Sequence, residues 1–324
     1  MAFSISKIPK ARSSSSRLDF RNRTWTTCTL YLYLDPDAAG EIVTAQNVTI
    51  PGREALCLTL RRLAYPKRWG DLEQLYGRHT SVMSSCSSMV MNHVITLFGH
   101  LLKDLNYHHC ISPASLRTFL RAVQDKGAHL TNCWAFVDGT TRPICRPKRN
   151  QQLYFSGHKR MQMVKYQPLM CPNGTVCQLD GHYPGSYHDA RILRESGMYA
   201  KLEEAASGQD QDFVIYGDPA YPLRPLLMKP YGGCNITPVQ EPFIAKMGCV
   251  RQCVEWGFGK VVAEFAFLDF KKNQKLLLQQ VAHMYKVATT LSNCHTCLYG
   301  RHVCSYFNLS PPCLRDYLKP LSVQ

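Results

Sequence analysis

Four carboxylates stand out in this chain by their settings: Asp138 in AFVDGT, Asp189 in GSYHDARIL, Asp218 in FVIYGDPAYP and Glu255 in RQCVEWGFG. The chain as a whole is basic, with 38 Lys+Arg against 23 Asp+Glu and a formal net charge of +15. Such a balance favours an acidic partner, nucleic acid before a membrane surface, because no long basic amphipathic stretch is present. Acids placed beside a polyanion are repelled by it unless a cation sits between them. Carboxylates embedded in a basic protein therefore point to divalent metal ions acting on nucleic-acid phosphates. Mg²⁺ or Mn²⁺ takes oxygen ligands, and two such ions about 4 Å apart can clamp a phosphodiester between them. Carboxylates are ionised at neutral pH, so this chemistry needs no tuning of their pKa. Any one of these acids, taken alone, is also what an exposed turn or a helix cap would carry.

The elements that must position these acids are legible in the hydrophobic pattern. CWAFVD reads as a short buried strand ending at Asp138, with Gly139 turning the chain. KRMQMVKYQPLMC and TVCQLDGHY read as two more strands, joined at Pro172-Asn173-Gly174, a good turn sequence. His188-Asp189 opens a helix, DARILRESGMYAKLEE. FVIYGD is a buried strand ending at Asp218, and a Pro-rich loop (219–242) follows. VRQCVEWGFGKVVAEFAF then reads as an amphipathic helix with Glu255 near its start. Three antiparallel strands, a helix, a fourth strand and a later helix is the order of a ribonuclease-H-like domain. Strands one and four are neighbours there. Asp138 and Asp218 would thus meet although 80 positions separate them.

Upstream, residues 50–130 read as a small helical region. Leu56, Leu60, Leu63 and Ala64 recur at helical spacing until Pro66. The short WGDLEQLYG segment follows, Gly77 breaks it, and Thr80 or Ser81 caps a longer helix. This outline predicts a helix-turn-helix, with Arg53, Arg61, Arg62, Lys67, Arg68 and Arg78 seeking phosphate; a helical cap packed on the next domain is the alternative. Ser112 and Pro113 start one more helix. Gly157-His158-Lys159-Arg160, and less strongly Lys165, are candidate contacts to a DNA backbone. Residues 1–27, rich in Ser, Lys and Arg, form a basic arm suited to DNA contact or nuclear import; a transit peptide and a terminus without a role are the other readings. Residues 273–300 hold a last helix, and 301–324 a tail. The 15 cysteines are read as reduced, mostly buried thiols. Cys294-His295-Thr296-Cys297 has zinc-ligand spacing but lacks a second Cys pair. His108-His109-Cys110 reads as a loop. No run of apolar residues is long enough to span a membrane.

In this order, AFVDGTTRPI, YFSGHKRMQMVKYQ, PGSYHDARILRESGM, GDPAYPLRPLLMKPY and VEWGFGKV resemble successive blocks of the DDE-type nuclease domain of Harbinger (PIF-like) transposases and their domesticated derivatives. The resemblance covers roughly 133–300, and the helical segment before it resembles the corresponding segment in that family. It implies that Asp138, Asp218 and Glu255 are the catalytic acids and that Asp189 joins them as a metal ligand. It implies a pair of divalent ions, DNA as substrate, a separate Myb-like DNA-binding partner protein, a homo-oligomer, and the nucleus, with the cytoplasm as a second location. Where the family often shows VERAFGRLK this chain has VEWGFGKVV, a weaker basic side to the Glu helix. Two activities are open at this point: a metal-dependent endonuclease, and a domesticated, non-cutting DNA-binding protein that keeps the fold.

Overall fold

The computed structural model describes residues 41–103, 105, 111–206, 213–233, 236–276 and 278–319. The basic arm and His108-His109-Cys110 lie outside the described residues. A small hairpin, β1 (Glu41–Val43) and β2 (Thr49–Pro51), leads into helices α1 (Gly52–Ala64), α2 (Gly70–Tyr76), α3 (Thr80–Phe98) and α4 (Pro113–Asp125). Gly77 closes α2 in the left-handed conformation that glycine adopts without steric cost. Ser112 caps α4 as expected, accepting from Ser115 N. On α3 the cap is His79, whose ring accepts from Ser81 N.

The central sheet follows. Its strands are β3 (Cys133–Val137), β4 (Thr140–Pro143), β5 (Phe155–Ser156), β6 (Met161–Met170), β7 (Val176–Pro184), β8 (Val214–Tyr216) and β9 (Leu227–Met228). β6 pairs antiparallel with β3 and β4 along one edge and with β7 along the other, and β3 pairs parallel with β8, which pairs parallel with β9. The lateral order β7–β6–β3–β8–β9 is the ribonuclease-H-like arrangement. All five residues of β3 and all three of β8 are buried, as expected of strands covered on both faces. Short helices α5 (Gln151–Tyr154), α6 (Asp189–Ser196) and α7 (Met198–Ala206) flank the sheet. The long α8 (Gln240–Glu264), α9 (Val281–Tyr299), α10 (His302–Phe307) and α11 (Leu314–Tyr317) complete the chain.

Three expectations need correction. First, the N-terminal helices do not stand apart: they pack into the core of the sheet domain, the alternative of the two readings. Val82, Cys86, Val90, Met91, Val94 and Phe98 of α3 belong to the same buried cluster as Phe136, Tyr166 and Tyr285. α3 carries no Lys or Arg, so the would-be recognition helix offers no lysine or arginine to a phosphate. Arg62 is 3% exposed, its guanidinium held between the Trp69 and Phe267 rings at 4.3 and 3.8 Å and donating to Lys67 O. Burial lowers its pKa to about 10, with Asp71 opposing, so it stays charged inside the fold. Arg61 lies over Tyr65, and Arg78 pairs with both oxygens of Glu54. Second, α8 begins at Gln240, so Glu255 sits well inside it rather than near its start; Pro242 falls in the first turn, where the missing N–H costs nothing. The last long helix, in turn, starts later than the apolar run suggests, at Val281.

Third, residues 301–319, read as a tail, are packed into the domain. Phe307 stacks on Phe136 of β3, Arg301 is buried and donates to Gly174 O, and Tyr317 OH accepts from Asn293. The same Asn293 side chain bonds the backbone of Val176 on both sides, tying the end of the chain to β7. Losing one buried Phe costs about 3–5 kcal/mol, against a total stability of about 5–15 kcal/mol. A chain ending at Gly300 is therefore expected to yield no cooperative thermal unfolding transition, whereas an unchanged transition in calorimetry would refute this account of the tail.

Candidate metal-nuclease site

Asp138 and Asp218 are brought together by strand register. Phe136 of β3 pairs with Tyr216 of the parallel β8, and each Asp lies two residues beyond its member of that pair. The two carboxylates thus leave the sheet at the same end, from adjacent strands about 4.8 Å apart. Asp138 is held by a bond from Gly139 N to Oδ1 (2.7 Å), and Asp218 by one from Ala220 N (3.0 Å).

Asp189 is the first residue of α6, preceded by His188 at the cap position without a side-chain cap bond. It reaches the pair because residue 139 is glycine: a Cβ there would stand 2.8 Å from Asp189 Oδ1. Gly139 is therefore needed for close approach, not only for turning the chain. Gly217, beside Asp218, has a like role: a Cβ there would meet the Tyr221 ring at 2.8 Å. Tyr221 is buried under the site, and Gln167 donates to its hydroxyl.

Glu255 projects from α8 and is 60% exposed, the least enclosed of the four. Between it and the aspartates stands Arg251, one turn earlier on the same helix. Its Nη1 donates to Asp138 Oδ2 at 2.9 Å and its Nη2 lies 3.8 Å from Glu255 Oε1. Lys165 of β6 approaches Asp189 Oδ1 at 3.5 Å. Lys165, expected at the DNA backbone, is thus a member of the acid cluster. Arg251 was missed by sequence reasoning, although its i,i+4 spacing to Glu255 was a usable signal.

The electrostatics show how closely the acids are gathered. Burial pushes the Asp138 carboxyl up to about 6, Asp218 and Asp189 add to the rise, and Arg251 and Gly139 N oppose it. Burial also raises Asp218, with Asp189 adding to the rise and Ala220 N and Arg251 opposing. The expectation that these carboxylates need no tuning does not hold for Asp138: desolvation and like charges make its ionised form costly until a cation arrives. Among the described residues no three His, Cys, Asp or Glu side chains stand close enough together to hold a metal ion. The donor chemistry nonetheless fits a hard divalent cation. The donors are carboxylate oxygens, and the charges of Asp189 and Asp218 act on Asp138, that of Asp189 also on Asp218. Arg251 and Lys165 hold the counter-charge.

The remaining expected contacts lie elsewhere. His158, Lys159 and Arg160 are exposed in the turn before β6. Eight residues of strand, about 26 Å, separate Arg160 from the Pro168 carbonyl that Asp138 N approaches. They could touch only DNA well outside the acid cluster. Of the two cysteines with zinc spacing, Cys294 is buried, its thiol pushed well up by burial, and the nearby Cys304 Sγ donates to Asn173 O. They pack as thiols.

Residues 137–293 match the family described as DDE superfamily endonuclease. That segment is similar to DDE endonuclease domains. The match begins at the last residue of β3, immediately before Asp138, and ends within α9, so it takes in all four acids. A relative, Protein ALP1-like from Arabidopsis thaliana, is 23% identical over 194 residues, covering 56% of this chain and 45% of that protein. The chain thus spans less than half the length of that relative. No solved structure matches. No described helix is long and apolar enough to cross a membrane.

Proposed function

We propose that the protein is a metal-dependent DNA endonuclease of Harbinger-transposase descent, cutting phosphodiesters at the Asp138–Asp189–Asp218–Glu255 centre. The observation that carries the reading is the register that sets Asp138 and Asp218 at the same end of two parallel neighbours, with Asp189 packed against Gly139. Asp138, Asp189 and Asp218 would hold the divalent ions, and Glu255 closes the set from α8. When bound, two such ions would supply an activated water and charge neutralisation at the leaving oxygen. The chain's own contribution is positional. β3 and β8 fix two acids, Gly139 admits the third, and Arg251 keeps Asp138 turned toward the Glu helix until the cluster fills. The chain's excess of 38 basic over 23 acidic residues supports a DNA substrate. Work in the nucleus with a separate Myb-like DNA-binding protein, and self-association, belong to the same reading.

Supercoiled plasmid incubated with the protein and Mn²⁺ or Mg²⁺ is expected to be nicked, with 3′-hydroxyl ends, and EDTA is expected to stop the reaction. Cleavage that persists in EDTA would overturn the metal-dependent reading. Tight DNA binding with no cleavage in either metal would assign the chain to the non-cutting class.

A further inference from the structure

On the edge strand β7, Asp180 is surrounded by an excess of positive charge that the acid centre does not use. Lys201 Nζ of α7 stands 3.6 Å from Asp180 Oδ1 and donates to the backbone carbonyl of Lys103 at 2.8 Å. Lys286 of α9 lies near enough that Asp180, Lys103 and Lys201 all act on it, and it in turn acts on His182. His283, bonded to Asn92, also acts on His182. Lys201 and Lys286 thus share one carboxylate, and Lys103 adds a third positive charge beside Lys286. Lys103 and Lys286 also line a cavity of about 330 Å³ where the end of α3 meets α9, together with His100 and Leu102.

Holding Lys201 and Lys286 at one acid, with Lys103 exposed beside Lys286, costs free energy through mutual repulsion and, for Lys286, lost hydration. The lowered pKa of Lys286, caused first by burial and then opposed by Asp180 while Lys103 and Lys201 add to it, agrees with such an excess. An anionic ligand would relieve it. Position says which anion. Asp180 pairs with Gln167 of β6, while Asp138 N lies against Pro168 O and Thr140 pairs with Tyr166. Asp180 is therefore level with Gly139 and two strands away, about 10 Å in the sheet. A polyanion crossing the acid centre would pass this cluster with its next phosphates.

We propose that Lys103 and Lys286, braced by Lys201 through Asp180, form a second phosphate-backbone contact that holds the DNA flanking the cut. This rests on the DNA reading above but not on cleavage, so it is tested by binding alone, in EDTA. Binding of a short DNA duplex is measured across a salt series for wild type, Lys103→Gln, the Lys103→Gln/Lys286→Gln double variant and a control, Lys275→Gln, at an exposed lysine outside the cluster. Each lost phosphate contact lowers the slope of log K against log salt by about 0.9. The double variant is expected to lose about 1.8 from the slope, Lys103→Gln about half of that, and the control markedly less. The melting temperature of Lys103→Gln should not fall, because the Lys103 charge only repels Lys286. Slopes equal to wild type in Lys103→Gln and in the double variant would overturn the proposal. A second arm titrates inorganic phosphate by calorimetry: phosphate binding lost in the double variant with an unchanged DNA slope would also overturn it, assigning the cluster to a small anion. Intact DNA binding with no plasmid nicking would sink the nuclease reading and leave this one standing.

Discussion

Asp218→Asn is expected to lower plasmid nicking on the order of a thousand-fold while leaving the melting temperature of the metal-free protein unchanged or higher. The two effects have one cause. Asp218 sits in a half-buried place beside Asp189, whose charge raises its pKa along with burial. Asparagine keeps the oxygen that accepts from Ala220 N and removes only the charge. Without a cation the protein is relieved of repulsion. With one, it loses a ligand worth several kcal/mol of charge stabilisation, and about 4 kcal/mol corresponds to a thousand-fold in rate. Such an exchange of stability for activity is common at catalytic centres. Nicking assays and thermal unfolding in EDTA check the two halves separately. A large fall in melting temperature with nicking retained would mean that Asp218 is a structural turn residue.

Arg251→Gln is expected to behave in the opposite way. Arg251 donates to Asp138 and reaches Glu255, and its charge pulls down both Asp138 and Asp218. Removing it leaves a desolvated carboxylate among like charges. Breaking a fully buried pair costs about 3–5 kcal/mol; with the Arg251 side chain 22% exposed, about 2 kcal/mol is the reasonable scale. For a chain of this size that is a fall of about 3 °C in melting temperature in EDTA. A divalent cation can then take over the missing charge, so Mn²⁺ should raise the melting temperature of the variant by more than it raises that of wild type. Equal metal-induced shifts in the two proteins would show that Arg251 does not occupy the cation's electrostatic place.

Much of the centre was legible in the sequence because its parts are local. A buried pentapeptide leading into Asp138, a second buried run leading to Asp218, and a Pro-Asn-Gly turn between two long strands each announce themselves by period and punctuation. Their order then implies adjacency. What stayed hidden depends on side chains meeting across the fold. Arg62 looks like any surface arginine until Phe267, some two hundred positions later, closes over it. Lys165 alternates along β6 toward the acids rather than away from them, which no pattern of charge reveals. Gly139 reads as a turn residue, while its sharper role is the space it leaves for Asp189. The start of α8 was concealed by Pro242, a breaker everywhere except in a first turn. The last segment read as a tail because its short helices carry no long period, yet Phe307 and Tyr317 are core.

The central claim is that acids from β3, β8 and α6 make one cation site. Calorimetric titration of Mn²⁺ into the metal-free protein, wild type against Asp138→Asn/Asp218→Asn, tests it without any assumption about DNA. The account predicts saturable Mn²⁺ binding by wild type, two ions per chain, and its loss in the double variant with the fold intact by circular dichroism. Binding of equal stoichiometry and affinity in the two proteins would contradict it.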